Sequence, residues 1–302
     1  MDSYVNERWL VDEKLFTDKI VELGGEVQTE IANGDPDTQL ALAKKLIAEG
    51  AKVLVVVPCD SKKASAIVSI AEKEGIPVIS YDRLIINEGI ALYASYDNHA
   101  VGTLQARYAL EKVPKGRYLL LNGPVSDNNA VAFRAAQLEV LSEKATSKDV
   151  EIIGDMVLDS WSEIEALMHL EEYFMSTTTL PDAIIAANDA LANACIEALN
   201  SNKIDKPIVI TGQDADVVAL RNILAKRQAM TIYKPIRPLA HAVAHAAWKL
   251  AQGEKLAEVE KLAIGGIKVN AILLESVVVD IDNYRETVVK DGHVYLSEIL
   301  NK

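Results

Sequence analysis

Short runs of β-branched and aliphatic residues alternate along the chain with longer stretches whose apolar positions recur at helical spacing. Val53 to Pro58 (VLVVVP) is a continuous apolar run of strand length. The segment from Ser61 to Glu74 carries Ala64, Ile67, Val68, Ile70 and Ala71 on one side of a helix. Gly75 closes that helix, and Ile76 to Tyr81 (IPVISY) reads as the next strand. The preceding unit repeats the form. Gly25 to Ile31 is expected to be a strand, Asp35-Pro36 opens a helix as N-cap and first helical residue, and Gly50 ends it. Beyond the turn Pro114-Lys115-Gly116, the pattern predicts strands at Arg117 to Asn122, Glu151 to Val157, Ala183 to Ala187 and Pro207 to Thr211. Helices fill the gaps at roughly 129–144, 161–176, 189–201 and 214–226. Repeated βα units imply parallel sheets with helices on both faces, and two successive sets imply two doubly wound lobes.

Open sheets of this kind bind ligands beyond the carboxyl ends of their strands. The residues expected there are Cys59-Asp60, Asp82-Arg83, Gly123 to Asn129, Asp159 to Trp161, Asn188-Asp189, Gln213-Asp214 and Lys234. Asp, Asn and Arg can each bridge two adjacent hydroxyls of a neutral sugar, and indole rings suit the apolar faces of such a ring. Trp9 and Trp161 fall in strand-to-helix connections, whereas Trp248 lies in an apolar helical face (HAVAHAAWKLAQG) and is expected in the core. Local alternatives stand beside each of these readings. Asn188-Asp189 could cap the helix that begins at Ala190, Asp82-Arg83 could be a loop ion pair, Lys234 could be solvated and Trp9 could be a first-helix core residue.

Composition narrows the chemistry. The 302 residues are half apolar, enough to bury one large or two medium cores, and aromatics make up only 5%. Against 44 acidic residues stand 31 basic ones, and the net charge of -13 repels phosphate backbones, so no nucleic-acid partner is expected. No apolar run approaches the roughly 18 residues of a membrane span, so no membrane insertion is expected. Met1 leads into polar sequence without a signal peptide, which implies that export information was removed or that the chain is cytosolic. Cys59 and Cys195 fall in different lobes and read as buried thiols. His241 and His245 are spaced as two helical metal ligands, but no third ligand accompanies them, so no metal is expected. No phosphate loop, nucleophile elbow or dinucleotide fingerprint occurs, and no cofactor is expected. Asp189 and Asp214 could in principle act on a glycosidic bond. Neighbouring Arg and Lys would hold both ionised, which suits hydroxyl binding better than acid catalysis, so the chain is not read as an enzyme.

Glu7-Arg8-Trp9, Tyr81-Asp82-Arg83, Asp127-Asn128-Asn129 with Phe133-Arg134, Asp159 to Trp161, Asn188-Asp189, Gly212 to Asp216 (GQDAD), Tyr233-Lys234-Pro235 and Val288 to Gly292 together carry a resemblance. The chain is similar over essentially its whole length to periplasmic sugar-binding proteins of the type I fold, and within them to the D-xylose binders. The resemblance implies two doubly wound parallel-sheet lobes joined by a three-crossover hinge, with one pyranose clamped between them. It implies an N-terminal lobe of residues 1–113 plus 236–268 and a C-terminal lobe of 114–235 plus 269–302, with crossovers near Pro114, Pro235 and Lys268. Arg8, Asp82, Arg83, Asn128, Arg134, Asn188, Asp214 and Lys234 would hydrogen-bond the sugar, and Trp9 and Trp161 would stack on it. Adjacent Asn128 and Asn129 point in different directions, and the resemblance assigns Asn128. It further implies a place outside the cytoplasmic membrane and a partner that is either a membrane sugar importer or a membrane sensor histidine kinase. The fold is also similar to the sugar-binding core of lactose-repressor-type regulators, whose helix-turn-helix is not seen here. Family members open with a strand ahead of the segment that stands here as Met1-Asp2-Ser3, so the first strand of the N-terminal lobe is expected to be missing. Truncation is the plainest explanation. A rearranged lobe and an edge supplied by a partner are the other two.

Overall fold

The computed structural model describes residues 1–4, 8–256 and 259–300, so Glu7 of the first motif lies outside the described residues. Two compact units emerge. The first comprises Met1–Tyr96, Ser126–Asn129 and Pro235–Glu275, the second Asp97–Val125, Ala130–Lys234 and Ser276–Lys302.

In the first unit, β1 (Leu54–Val56), β2 (Val78–Tyr81), β3 (Leu92–Tyr96), β10 (Ile267–Leu274) and β9 (Glu260–Ile264) form one sheet in the order β1-β2-β3-β10-β9. All pairings are parallel except β10 with β9. Alternate residues of β1 feed two cores, as strand geometry requires. Leu54 and Val56 join Ile67 and Val68 of α3 (Ser65–Lys73), on the side packed by α2 (Pro36–Ala48). Val53, Val55 and Val57 join Ile20 of α1 (Arg8–Glu22) and Val243 and Ala247 of α9 (Ile236–Ala251). The start of α2 is as the sequence predicts: the Asp35 carboxylate accepts from the Asp37 and Thr38 N–H groups at 2.8 and 3.2 Å, ahead of Pro36.

The second unit has a parallel sheet in the order β5-β4-β6-β7, from β4 (Gly116–Asn122), β5 (Val150–Val157), β6 (Ala183–Ala186) and β7 (Val209–Ile210). β8 (Thr231–Tyr233) pairs antiparallel with β11 (Val277–Val279). The helices are α4 (Asn98–Lys112), α5 (Asn128–Thr146), α6 (Glu163–Ser176), α7 (Asp189–Ser201), α8 (Val217–Leu224) and α10 (Leu296–Leu300). Tyr118 and Leu120 of β4 face a core with Ala106 and Ala109 of α4, and Leu119 and Leu121 face the core of α6 and α7.

Three expectations shift. Gly25 to Ile31 joins no ladder; it is tied down by the Met1 amine, which donates to the Glu30 carbonyl at 2.8 Å, and by Ala32 N–H to Met1 O at 3.2 Å. Helix α8 starts at Val217 because Asp214 and Ala215 have φ of 102° and 56°, which no right-handed helix admits. The units divide at Tyr96/Asp97 and Glu275/Ser276, away from Pro114 and Lys268, and at Lys234/Pro235. Helix α4 packs in the second unit, where Gln105 Nε2 donates to the carbonyls of Ala187 and Gly212 at 3.0 and 3.1 Å. β10 runs on to Leu274 beside Tyr96 of β3.

Candidate binding site

Each unit gathers buried polar side chains beyond the carboxyl ends of its parallel strands. In the first, Asp82 follows β2 with φ of 59°, a left-handed backbone that Asp and Asn tolerate better than most residues. Its N–H donates to Ala94 O at 2.8 Å, and its carbonyl accepts from Ser95 Oγ at 2.5 Å, from Tyr93 Oη at 3.2 Å and from Asn129 Nδ2 at 3.2 Å. The backbone is therefore pinned, and the carboxylate is held for Arg8 Nη2 at 3.0 Å and Asn129 Nδ2 at 3.2 Å. Arg8 also reaches Asp12 through Nε at 3.3 Å, and Tyr81 Oη donates to the other Asp12 oxygen. Burial pushes the Asp12 carboxyl up, with Arg8 and Tyr81 opposing the shift. Arg83 is clasped by Asp127 at 2.9 Å and Asp2 at 2.7 Å. Burial works against its charge, but Asp127, Asp2 and Asp82 outweigh it and hold its pKa above the ordinary guanidinium value. Trp9 is buried in α1, with the Arg8 and Arg83 guanidiniums 4.6 and 5.5 Å from its ring centroid.

The second unit repeats the device with different residues. Asp214 again has positive φ, and its Oδ1 accepts from Gln213 Nε2 at 3.2 Å and lies 3.6 Å from Lys234 Nζ. Both Asp214 and Lys234 are buried. Gln213 Oε1 is buried with no partner among the described residues, an acceptor left open. Asn188 caps α7, its Oδ1 accepting from Leu191 N–H at 3.0 Å. Among the described residues its Nδ2 has no partner, so one amide group both caps and remains able to donate. Behind these residues Asp189 accepts from Gln228 Nε2 at 2.8 Å, Thr231 Oγ1 at 2.9 Å and Asp216 N–H at 3.0 Å. Trp161 lies against Gly123: a Cβ built there would stand 2.5 Å from the indole, so only glycine fits. The loop of Trp161 is fixed from α6, where Ser162 caps the helix and Glu165 turns back to accept from Asp159 N–H at 2.7 Å and Ser160 N–H at 3.1 Å.

Of the residues singled out in the sequence, Arg8, Trp9, Asp82 and Arg83 come together in the first unit, and Asn188, Asp214 and Lys234 in the second. Trp161 sits on its own strand-end loop. Asn129, rather than Asn128, joins the Asp82 cluster; the Asn128 carboxamide lies beside Gly265. Arg134 is not brought to the others, since Asp155 on β5 binds its fork through Nε at 2.9 Å and Nη2 at 2.5 Å. Asp12 and Asp127, which orient the two arginines, were not singled out, although the spacing of Arg8 and Asp12 is the helical i,i+4 pair. Among the described residues no three His, Cys, Asp or Glu side chains converge as a metal site would require, and no helix is long and apolar enough to cross a membrane.

Two parallel-sheet units with polar clusters at their strand ends define a binding protein of the periplasmic type, and residues 1–255 match the family model "Periplasmic binding protein domain". The chain belongs to that family, whose members are substrate-binding proteins of transport rather than enzymes and work outside the cytoplasm. It is 39% identical to the D-xylose-binding periplasmic protein of Haemophilus influenzae, over 97% of this chain and 88% of the relative. It is 38% identical to the protein of the same name from Escherichia coli, over 99% and 91%. Among solved structures, an ABC transporter solute-binding protein of Clostridium phytofermentans with bound β-D-glucose superposes with a TM-score of 0.92 at 28% identity, covering 99% of this chain and 98% of that one.

Proposed function

We propose that the chain binds D-xylose outside the cytoplasmic membrane and presents it to a membrane sugar importer. The observation that carries this reading is the repeated device of a buried aspartate at positive φ beyond a strand end, paired with a buried cation: Asp82 with Arg8, and Asp214 with Lys234. Carboxylates accept from sugar hydroxyls while Arg8, Arg83, Lys234 and the Asn188 Nδ2 donate to them. The indole of Trp161 offers an apolar face to the ring carbons. Asn129 takes the place expected for Asn128, and Arg134 acts on the sugar only through the packing of α5 and β5. Trp9 steadies the two arginines. The names of the Haemophilus and Escherichia relatives support xylose over other sugars.

Isothermal titration with D-xylose, and with glucose, ribose and arabinose as controls, tests the reading. One-to-one binding of xylose in preference to the controls is expected. Asp82→Asn and Trp161→Ala should each weaken binding at least tenfold, about 1.4 kcal/mol or more. Heat with glucose alone would reassign the sugar, and no heat with any of them would overturn the proposal. A membrane sensor histidine kinase is the other reader of the bound form. Xylose-dependent stimulation of kinase autophosphorylation rather than of importer ATPase activity, each in proteoliposomes, would select it.

A further inference from the structure

The first unit contains a cavity of about 840 Å³ whose four walls are those of a position inside a parallel sheet. One edge is β1. Leu54 N–H donates to Pro77 O at 3.0 Å, so Leu54 and Val56 turn their backbone groups toward β2. Because strand residues alternate, Val53 and Val55 turn theirs to the open side, where among the described residues nothing pairs with them. At the end of that edge the Gln39 carboxamide substitutes for a neighbouring strand, donating to Val57 O at 2.8 Å and accepting from Cys59 N–H at 3.0 Å. The opposite edge is the segment from Glu26 to Thr29, whose backbone groups also lack partners among the described residues. Phe16, Ile20 and Trp248 line one face of the cavity, and Leu42, Leu46 and Ile67 the other. Two unpaired backbone edges call for main-chain donors and acceptors on both sides at once. Two apolar faces call for the continuous apolar sequence of a buried strand. An extended peptide meets both demands; a helix, whose main chain is already bonded, and a small apolar molecule do not.

The rim decides the flanks. Glu13, Glu26, Glu30 and Glu49 stand there against Lys52, so the occupant carries basic residues at its ends. A second copy of the chain is disfavoured. Its own segments of this composition, Lys52 to Pro58 and Lys206 to Thr211, contain β1 and β7, which would have to leave their own ladders. We propose that this slot receives an extended apolar β-strand with basic flanks, donated by a partner polypeptide that completes the sheet of the first unit beside β1. The inference does not rest on the sugar reading.

The test uses the purified chain and a labelled synthetic peptide, Lys-Val-Ile-Val-Ala-Val-Lys, followed by fluorescence anisotropy. Saturable one-to-one binding and a raised Tm are expected. A peptide N-methylated at alternate residues, which keeps its side chains but loses one hydrogen-bonding edge, should bind at least tenfold more weakly. Val55→Pro removes an N–H on the open edge and leaves the β1–β2 bonds of Leu54 and Val56 in place. It should reduce peptide binding at least tenfold while the xylose titration is unchanged. If the variant does not fold, the N-methylated peptide decides. Absence of saturable binding at millimolar peptide, or equal binding of the N-methylated peptide, would overturn the proposal. So would a free peptide that fails to bind while the same sequence fused ahead of Met1 raises Tm, which would assign the slot to a strand in cis. Concentration-dependent dimerisation abolished by Val55→Pro would assign it to a second copy.

Discussion

Burial pushes the Asp189 carboxyl well above its ordinary range, with Asp216 and Asp214 adding to the shift and the Asp216 N–H and Gln228 working against it. Below the unfolded value of 3.8 the group is protonated in both states; the folded state keeps the proton to higher pH. Its stabilisation is therefore complete at low pH and is lost as pH rises through the folded pKa. Asp189→Asn abolishes this titration, so wild type should lose Tm relative to the variant between about pH 4 and pH 8. An unchanged Tm difference across that range, by scanning fluorimetry, would refute the assignment. At this scale Asp82, Asn188, Asp214 and Lys234 were legible because strand ends are legible and ligands gather there. The Arg134–Asp155 pair was not, because it arises only when α5 packs beside β5. Asn129 could not be told from Asn128 until the turn before α5 set their directions.

Helix α6 shows how an element presents a site residue. Its Ser162 cap and the returning Glu165 carboxylate hold the 159–161 loop and with it Trp161. Glu165→Ala should cost about 1–2 kcal/mol of stability. It should also weaken xylose binding severalfold, and titration of the variant reads that loss; unaltered affinity would show that the loop is held by Gly123 packing alone. The sequence Ser162-Glu163-Ile164-Glu165 is a readable capping box, as Asp35-Pro36 is a readable helix start. Strands were legible where apolar runs are continuous, as at β1, β2, β4 and β6. The run from Gly25 to Ile31 has strand composition, but a strand also needs a neighbour in register, and among the described residues the groups of Glu26 to Thr29 have none. Conversely β8 and β11, two short strands far apart in sequence, left no periodic trace long enough to read.

For the molecule as a whole, the proposed sugar contacts are shared between two units, each with its own core. A ligand bound only by the folded form adds about 2.7 kcal/mol at a hundredfold excess over Kd. Differential scanning calorimetry with saturating xylose should therefore raise the unfolding of both units. A rise confined to one unit's transition would restrict the sugar contacts to that unit. The chain passes between the units at Tyr96/Asp97, Lys234/Pro235 and Glu275/Ser276, and this has a bearing on how the protein is made. The four-stranded sheet of the second unit is complete once Ile210 has been synthesised, but β3 finds its partner only when Ala271 arrives to face Tyr93. At about 5–20 residues per second that is a delay of roughly 10–40 s. The half that is begun first is thus among the last to be finished, and during translation its three early strands wait with both margins bare.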